Sequence, residues 1–222
     1  MPRTHRIQNA GTLHHIVTRG NNKENIFHST DDFIIFLNFL ESSRKKFPLK
    51  IYNFVLMNNH LHLLAEPGAE YSLSQAMEMV LKNYAKYFNG KYDHAGHVFQ
   101  GRFKNFVIQS ERYFFNCCRY IDLNPIKAKI VKVPEDYPWS GHEALSRGRK
   151  SPLVIDHHEL YLNLGNTPRE RQTAYRAIIL KTSHQEIDWL NRRSGIMGDK
   201  KFRATLKSKV APFRKKVPAT SE

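Results

Sequence analysis

The strongest constraint in this sequence is a change of hydrophobic period that recurs between residues 12 and 124. Residues 12–18 (TLHHIVT) read as a strand, and Arg19-Gly20-Asn21-Asn22 as its turn. Thr30 and Asp31 can cap a helix whose Phe33, Phe36, Leu37 and Leu40 recur at i, i+3, i+4 and i+7. Residues 50–57 (KIYNFVLM) form a second strand. Asn58-Asn59 interrupts it, His60 to Leu64 continue extended, and Glu66-Pro67-Gly68 turns the chain. Ser72 and Gln75 make a capping-box pair before Leu73, Ala76, Met77, Val80, Leu81 and Tyr84, a helical face that runs out at Asn89-Gly90. Residues 102–109 (RFKNFVIQ) predict a strand. Ser110 then opens a helix through about Leu123, stopped by Asn124-Pro125. The order β-α-β-(β)-α-β-α predicts an α+β domain with an antiparallel sheet, ferredoxin-like in outline.

The last third has a different character. Ser146 to Ser151 (SRGRKS) resembles a linker, which places a first domain at 1–145 and a basic helical C-terminal extension at 146–222. In that extension Thr167-Pro168-Arg169-Glu170 is a capping box with Pro at the first helical position, and Asp199 can cap a last helix through Phe202 and Leu206. The chain carries 35 Lys and Arg against 20 Asp and Glu, a net charge of +15. Residues 1–150 hold +8 of this and the much shorter 151–222 hold +7, so positive charge is densest in the extension. Such a surplus points to a polyanionic partner. The polyanion is either nucleic acid or an anionic membrane face; no apolar run approaches the ~18–20 residues of a membrane span, and no membrane partner is expected. The opening MPRTHRIQNAG lacks the apolar stretch of a secretory signal. The two cysteines, Cys117 and Cys118, are adjacent, which suits neither an ordinary disulfide nor a zinc site. A soluble protein of a reducing compartment, the cytoplasm, is expected.

Three constellations carry chemistry. His60-Leu61-His62 lies on an extended segment, where side chains alternate, so both imidazoles share a face and can chelate one divalent ion. Alone the pair discriminates little: 12 histidines in 222 residues give roughly 0.6 such pairs by chance. Tyr120 and Asn124 sit at i and i+4 of a predicted helix, offering a phenol and an amide oxygen on one side. Tyr113, Cys117, Tyr120 and Ile121 equally make a core stripe, with Asn124 a helix stop, and on these residues alone that packing reading is the heavier one. Arg19, Arg102, Lys104, Arg112 and Arg119 are interleaved with Tyr84, Tyr87, Phe88, Tyr92, Phe99 and Phe103. Basic groups hold phosphates and rings stack unpaired bases, although single residues of either kind are more often solvated charge or core.

Taken together the motifs resemble a known family. Asn58-Asn59-His60-Leu61-His62-Leu63-Leu64, Gly101-Arg102-Phe103-Lys104, Arg119-Tyr120-Ile121-Asp122-Leu123-Asn124-Pro125 and Tyr137-Pro138-Trp139-Ser140 occur in that order, preceded by His15-Ile16-Val17-Thr18-Arg19-Gly20-Asn21. They are similar to the single-tyrosine HUH transposases, specifically the REP-associated tyrosine transposase branch of the IS200-like group, over about residues 5–142. The resemblance implies the HUH nuclease fold. It implies His60 and His62 as metal ligands, Asn124 as the third ligand, where related transposases often carry Gln or His, and Tyr120 as the nucleophile. The cofactor implied is Mg²⁺ or Mn²⁺, and the partner single-stranded and hairpin DNA. Arg19, Arg102, Lys104 and Arg119 become DNA-binding candidates, with Arg192, Arg193, Lys200 and Lys201 of the extension set to grip a hairpin stem.

The implied reaction is attack of the Tyr120 phenol on a phosphodiester polarised by the metal, giving a 5′-phosphotyrosine and a free 3′-hydroxyl. A phenol ordinarily holds its proton to about pH 10, so the proton must leave as attack proceeds. The reverse step rejoins strands without ATP, which makes the chain an endonuclease and strand transferase. Three rivals stay open: a domesticated hairpin-binding protein that no longer cuts, a rolling-circle initiator or relaxase, and a hydrolase that uses water. Homodimer and monomer also both stay open.

Overall fold

The alternating periods become β1 (Leu13–Arg19), α1 (Thr30–Lys46), β2 (Leu49–Met57), β3 (His60–Pro67), α2 (Ser72–Tyr92), β4 (Lys104–Ile108) and α3 (Ser110–Asp122). They are seen in a computed structural model that describes residues 10–181 and 195–214. The sheet order is β2-β3-β1-β4-β5. β1 runs antiparallel between β3 and β4, and β2 pairs antiparallel with β3, which is the expected ferredoxin-like arrangement. The fifth strand, β5 (Gly195–Met197), lies parallel on β4 and makes the sheet mixed. Three residues are too few to show a period, so no local signal marks this strand.

Strand alternation divides the core into two layers. Ile16, Ile51, Phe54, Leu56, Leu61 and Leu63 pack with α1 and α2. Val17, Val55, Leu64, Phe106 and Ile108 pack on the other side with Phe114, Cys117 and Ile121 of α3. A register shift between Ile51 and Asn53 interrupts the alternation in β2. The bulge lets Tyr52 join the α3-side cluster while its neighbour Asn53 reaches Asp122 on α3, donating from Nδ2 at 2.7 Å.

Local details differ from expectation where tertiary contacts win. α1 is capped one residue early, with Asp32 Oδ2 accepting the backbone N–H of Ser29 at 2.9 Å. The Ser72 hydroxyl donates to the Ala69 carbonyl at 2.8 Å instead of capping α2, whose N-cap is Tyr71. α2 also runs through Gly90 to Tyr92, because Lys91 Nζ and the Tyr92 hydroxyl both reach the buried Asp32 carboxylate at 2.7 Å. Those contacts outweigh the roughly 1 kcal/mol that a glycine costs inside a helix.

The chain continues with α4 (Asn124–Lys127), α5 (His142–Arg147), α6 (Glu159–Leu162), α7 (Pro168–Leu180) and α8 (Lys200–Arg214). Residue 145 falls inside α5. The capping box at Thr167 and Glu170 opens α7 as read from the sequence. Tyr161, Tyr175 and Ile179 bury themselves in the same cluster as α3. Cys117 and Cys118 are buried free thiols. Among the described residues, no helix is long and apolar enough to cross a membrane.

Candidate active site

The β2–β3 hairpin turns on Asn58-Asn59, pairing Met57 with His60. From there β3 sends His60 and His62 to the α3 side of the sheet and Leu61 into the opposite layer. The two imidazole centroids are 5.2 Å apart with planes at 84°. α3 brings Tyr120 over them, its half-buried ring standing edge-on to His62 at 5.1 Å between centroids. Asn124 follows at a corner. It opens α4 with Pro125 in that helix's first turn, where proline's missing N–H is tolerated. Leu123 keeps a right-handed helical conformation (φ −87°, ψ −1°), so the path from Tyr120 to Asn124 stays helical although α3 ends at Asp122. Asn124 Oδ1 comes 3.2 Å from His60 Nε2. The structure therefore gathers all four side chains from two distant parts of the chain.

The polar contacts suit a cation. Burial, with the Arg19 guanidinium adding to it, pushes the His60 imidazole down to about 4 despite its contact with Asn124. Burial, reinforced by His15 and His60, holds His62 well below the ordinary histidine value. Both imidazoles are thus neutral near pH 7 and keep a lone pair. A neutral imidazole donates once, and His60 Nδ1 lies 2.6 Å from Asn59 Oδ1. With that proton given to Asn59, His60 Nε2 and Asn124 Oδ1 face each other as two acceptors. His62 Nε2 is buried with no hydrogen-bond partner among the described residues. Neighbouring ligands of an octahedral cation with bonds of about 2.1 Å stand roughly 3 Å apart, close to the 3.2 Å seen between Nε2 and Oδ1. Two imidazole nitrogens and an amide oxygen are a donor set that a divalent cation can take. Among the described residues no three His, Cys, Asp or Glu side chains gather for a metal, so the set depends on Asn124.

Beside this group, Val17, Thr18, Arg19, Gln100, Gly101, Arg102 and Lys104 line an open cleft of ≈ 420 Å³. Arg19 pairs with His60 across β1 and β3, and its guanidinium is steadied by Gln100 Oε1, which accepts from Nε at 3.2 Å and Nη2 at 3.0 Å. Gly101 has φ 145°, a conformation that a side chain would strain, and it lets the chain turn at the cleft wall. Three of the basic candidates thus converge. Arg119 is not among the residues lining the cleft; its Nε–H donates to the Ile179 carbonyl in the last turn of α7 at 3.0 Å. Lys200 and Lys201 are exposed on α8, and Lys201 lines a separate cleft with Leu13 and Ile108 at the opposite end of the sheet. That end is ~20 Å from Arg19 along β1. Arg192 and Arg193 lie outside the described residues, as does the Arg112 side chain.

Two residues of the site had no role in the sequence reading. His15 lies on β1 with Nε2 3.0 Å from His62 Nδ1, its ring stacked on His62 at 5.1 Å and edge-on to Tyr120 at 6.0 Å. Lys127 Nζ sits 4.9 Å from the Tyr120 ring centroid, an arrangement in which cation and ring attract. The i, i+7 spacing from Tyr120 to Lys127 was available as a signal, but the helix stop expected at Pro125 hid it. Nothing local marks His15, which is 47 residues from its partner.

The sequence model of a family described as "Transposase IS200 like" matches residues 10–124. A solved structure described as "Structure of the REP associates tyrosine transposase bound to a REP hairpin" shares the fold, with a TM-score of 0.55 and 19% identity over 70% of this chain and 92% of that one. No curated protein matches the chain.

Proposed function

Since the chain belongs to the IS200-like transposase family, we propose that it is a metal-dependent endonuclease and strand transferase of the REP-associated tyrosine branch. It acts on single-stranded DNA at hairpins through a 5′-phosphotyrosine. The observation that carries this reading is the meeting of Tyr120 with His60, His62 and Asn124, at the edge of a basic cleft. The neighbour solved with a REP hairpin supports hairpin DNA as the partner.

When bound by His60, His62 and Asn124, Mg²⁺ or Mn²⁺ supplies Lewis-acid polarisation of the scissile phosphate. Arg19, Arg102 and Lys104 hold flanking phosphates and orient the ester. The Tyr120 oxygen attacks phosphorus, a tyrosyl P–O bond forms, and the bond to the 3′-oxygen breaks to leave a 3′-hydroxyl. The positive charge of Lys127 over the ring favours the phenolate that develops as the proton leaves. Residues 1–145 carry this chemistry. The basic extension, 146–222, grips the stem, with Lys200 and Lys201 of α8 and, from the sequence, Arg192 and Arg193 as the residues assigned to it.

The test is incubation of the full chain with end-labelled single-stranded hairpins on a denaturing gel. A covalent protein–DNA band is expected with Mn²⁺ and none in EDTA. Cut fragments with no covalent band would replace the reading by a hydrolase, and hairpin binding without cutting by a domesticated binder. An Arg102→Ala, Lys104→Ala double variant should weaken single-strand affinity uniformly across sequences. The slope of log affinity on log salt should drop by about 1.4, at about 0.7 per lost phosphate contact; an unchanged slope would remove these residues from the interface.

A further inference from the structure

We infer that His15 is a positioning residue: its Nε2 accepts the Nδ1–H of His62 and so fixes the tautomer in which His62 Nε2 carries a lone pair toward the cation site. This rests on the metal-ligand role proposed for His62. Between two neutral imidazoles whose Nε2 and Nδ1 are 3.0 Å apart, one nitrogen donates and the other accepts. If His15 donated, His62 would keep its proton on Nε2 and offer a metal no lone pair there. If His62 donates, His15 holds its own proton on Nδ1 and His62 Nε2 is a lone pair that a cation satisfies.

The surroundings hold His15 in place for this. β1 is a central strand, with His15 paired to Leu64 on one side and Phe106 on the other. The His15 ring is stacked on His62 at 27° between planes, backed by Phe106 at 6.1 Å and met by the edge of Tyr120. It is fully buried, so water does not compete for the His62 proton. His60 shows the same logic with a different acceptor, since its Nδ1 is matched to Asn59 Oδ1. Each proposed ligand therefore has its Nδ1 engaged, which leaves its Nε2 for the cation. Partners of this kind commonly govern metal affinity without touching the metal.

The test uses the full chain with ¹⁵N-labelled histidine. In metal-free wild type, the nitrogen shifts of His62 should report the Nδ1–H tautomer. His15→Leu should give mixed tautomers and lower Mn²⁺ affinity by about 10- to 100-fold, with hairpin affinity in EDTA unchanged. His15→Gln, whose amide oxygen can accept the same proton, should recover most of the Mn²⁺ affinity, a rescue that a purely packing role does not give. Should His15→Leu fail to fold, the wild-type tautomer and the Gln variant decide. An Nε2–H His62 in wild type overturns the assignment, and so does folded His15→Leu binding Mn²⁺ as wild type does. A wild type with the Nδ1–H tautomer that takes no Mn²⁺ supports the positioning and sinks the metal reading, so the two failures are distinct.

Discussion

Tyr120→Phe should abolish the covalent protein–DNA band, a loss of roughly 1,000-fold or more in the rate of adduct formation, while leaving hairpin affinity and thermal stability near wild type. The expectation follows from what the substitution removes. Phe keeps the ring that stands against His62 at 5.1 Å and His15 at 6.0 Å and under Lys127 at 4.9 Å. Only the hydroxyl is lost, from a half-buried side chain. The basic cleft of Arg19, Arg102 and Lys104 is untouched. DNA binding and chemistry should therefore separate cleanly. A Phe variant that forms adduct as fast as wild type would assign the nucleophile elsewhere.

Asp122→Ala should be the most destabilising single change near the site, costing about 3–5 kcal/mol and lowering Tm by roughly 10 °C. Asp122 is 1% exposed and lies between Tyr120 and Asn124 in sequence. Its carboxylate accepts from Asn53 Nδ2, the Tyr175 hydroxyl and His142 Nδ1, each at 2.7 Å. Removing it strands three buried donors and leaves His142 without its nearest counter-charge. The effect has a pH signature. Burial opposes charge on His142, but Asp122, Glu135 and Glu143 together raise its pKa above the ordinary value of 6.5. The stability from this pair is then full below about pH 6.5 and is lost as pH rises through the raised folded value. Chemical denaturation of wild type across that range should show the fall, and Asp122→Ala should flatten it. A variant within 1 kcal/mol of wild type, estimated as an ordinary surface change, would mean that the network contributes little.

The parts of this fold that were legible in the sequence are those with a local period. Phe33, Phe36, Leu37 and Leu40 were read as one helical face because four residues in two turns suffice, and all four are buried. The ordering of strands and helices through α3 followed in the same way. What escaped reading depends on contacts between distant residues. The bulge after Ile51 is set by Asn53 meeting Asp122, 69 residues away. β5 exists only against β4. Arg119 is a phosphate-ligand candidate by type, and its type gives no hint that its Nε–H is given to a carbonyl of α7 60 residues on. Among the site residues, His60 and His62 share a face by the alternation of β3, a local rule. The approach of Tyr120 and Asn124 to that face was implied only by the family resemblance, since nothing in either segment encodes the distance between them.

The central claim is that Tyr120 carries the DNA during the reaction. Mass spectrometry of the trapped adduct, after nuclease trimming and tryptic digestion, tests it most directly. The account predicts one modified peptide, YIDLNPIK spanning residues 120–127, with the nucleotide joined to Tyr120 through its 5′-phosphate. A nucleotide on any other residue, Tyr113 of the same helix included, or DNA cut with no modified peptide, would contradict it.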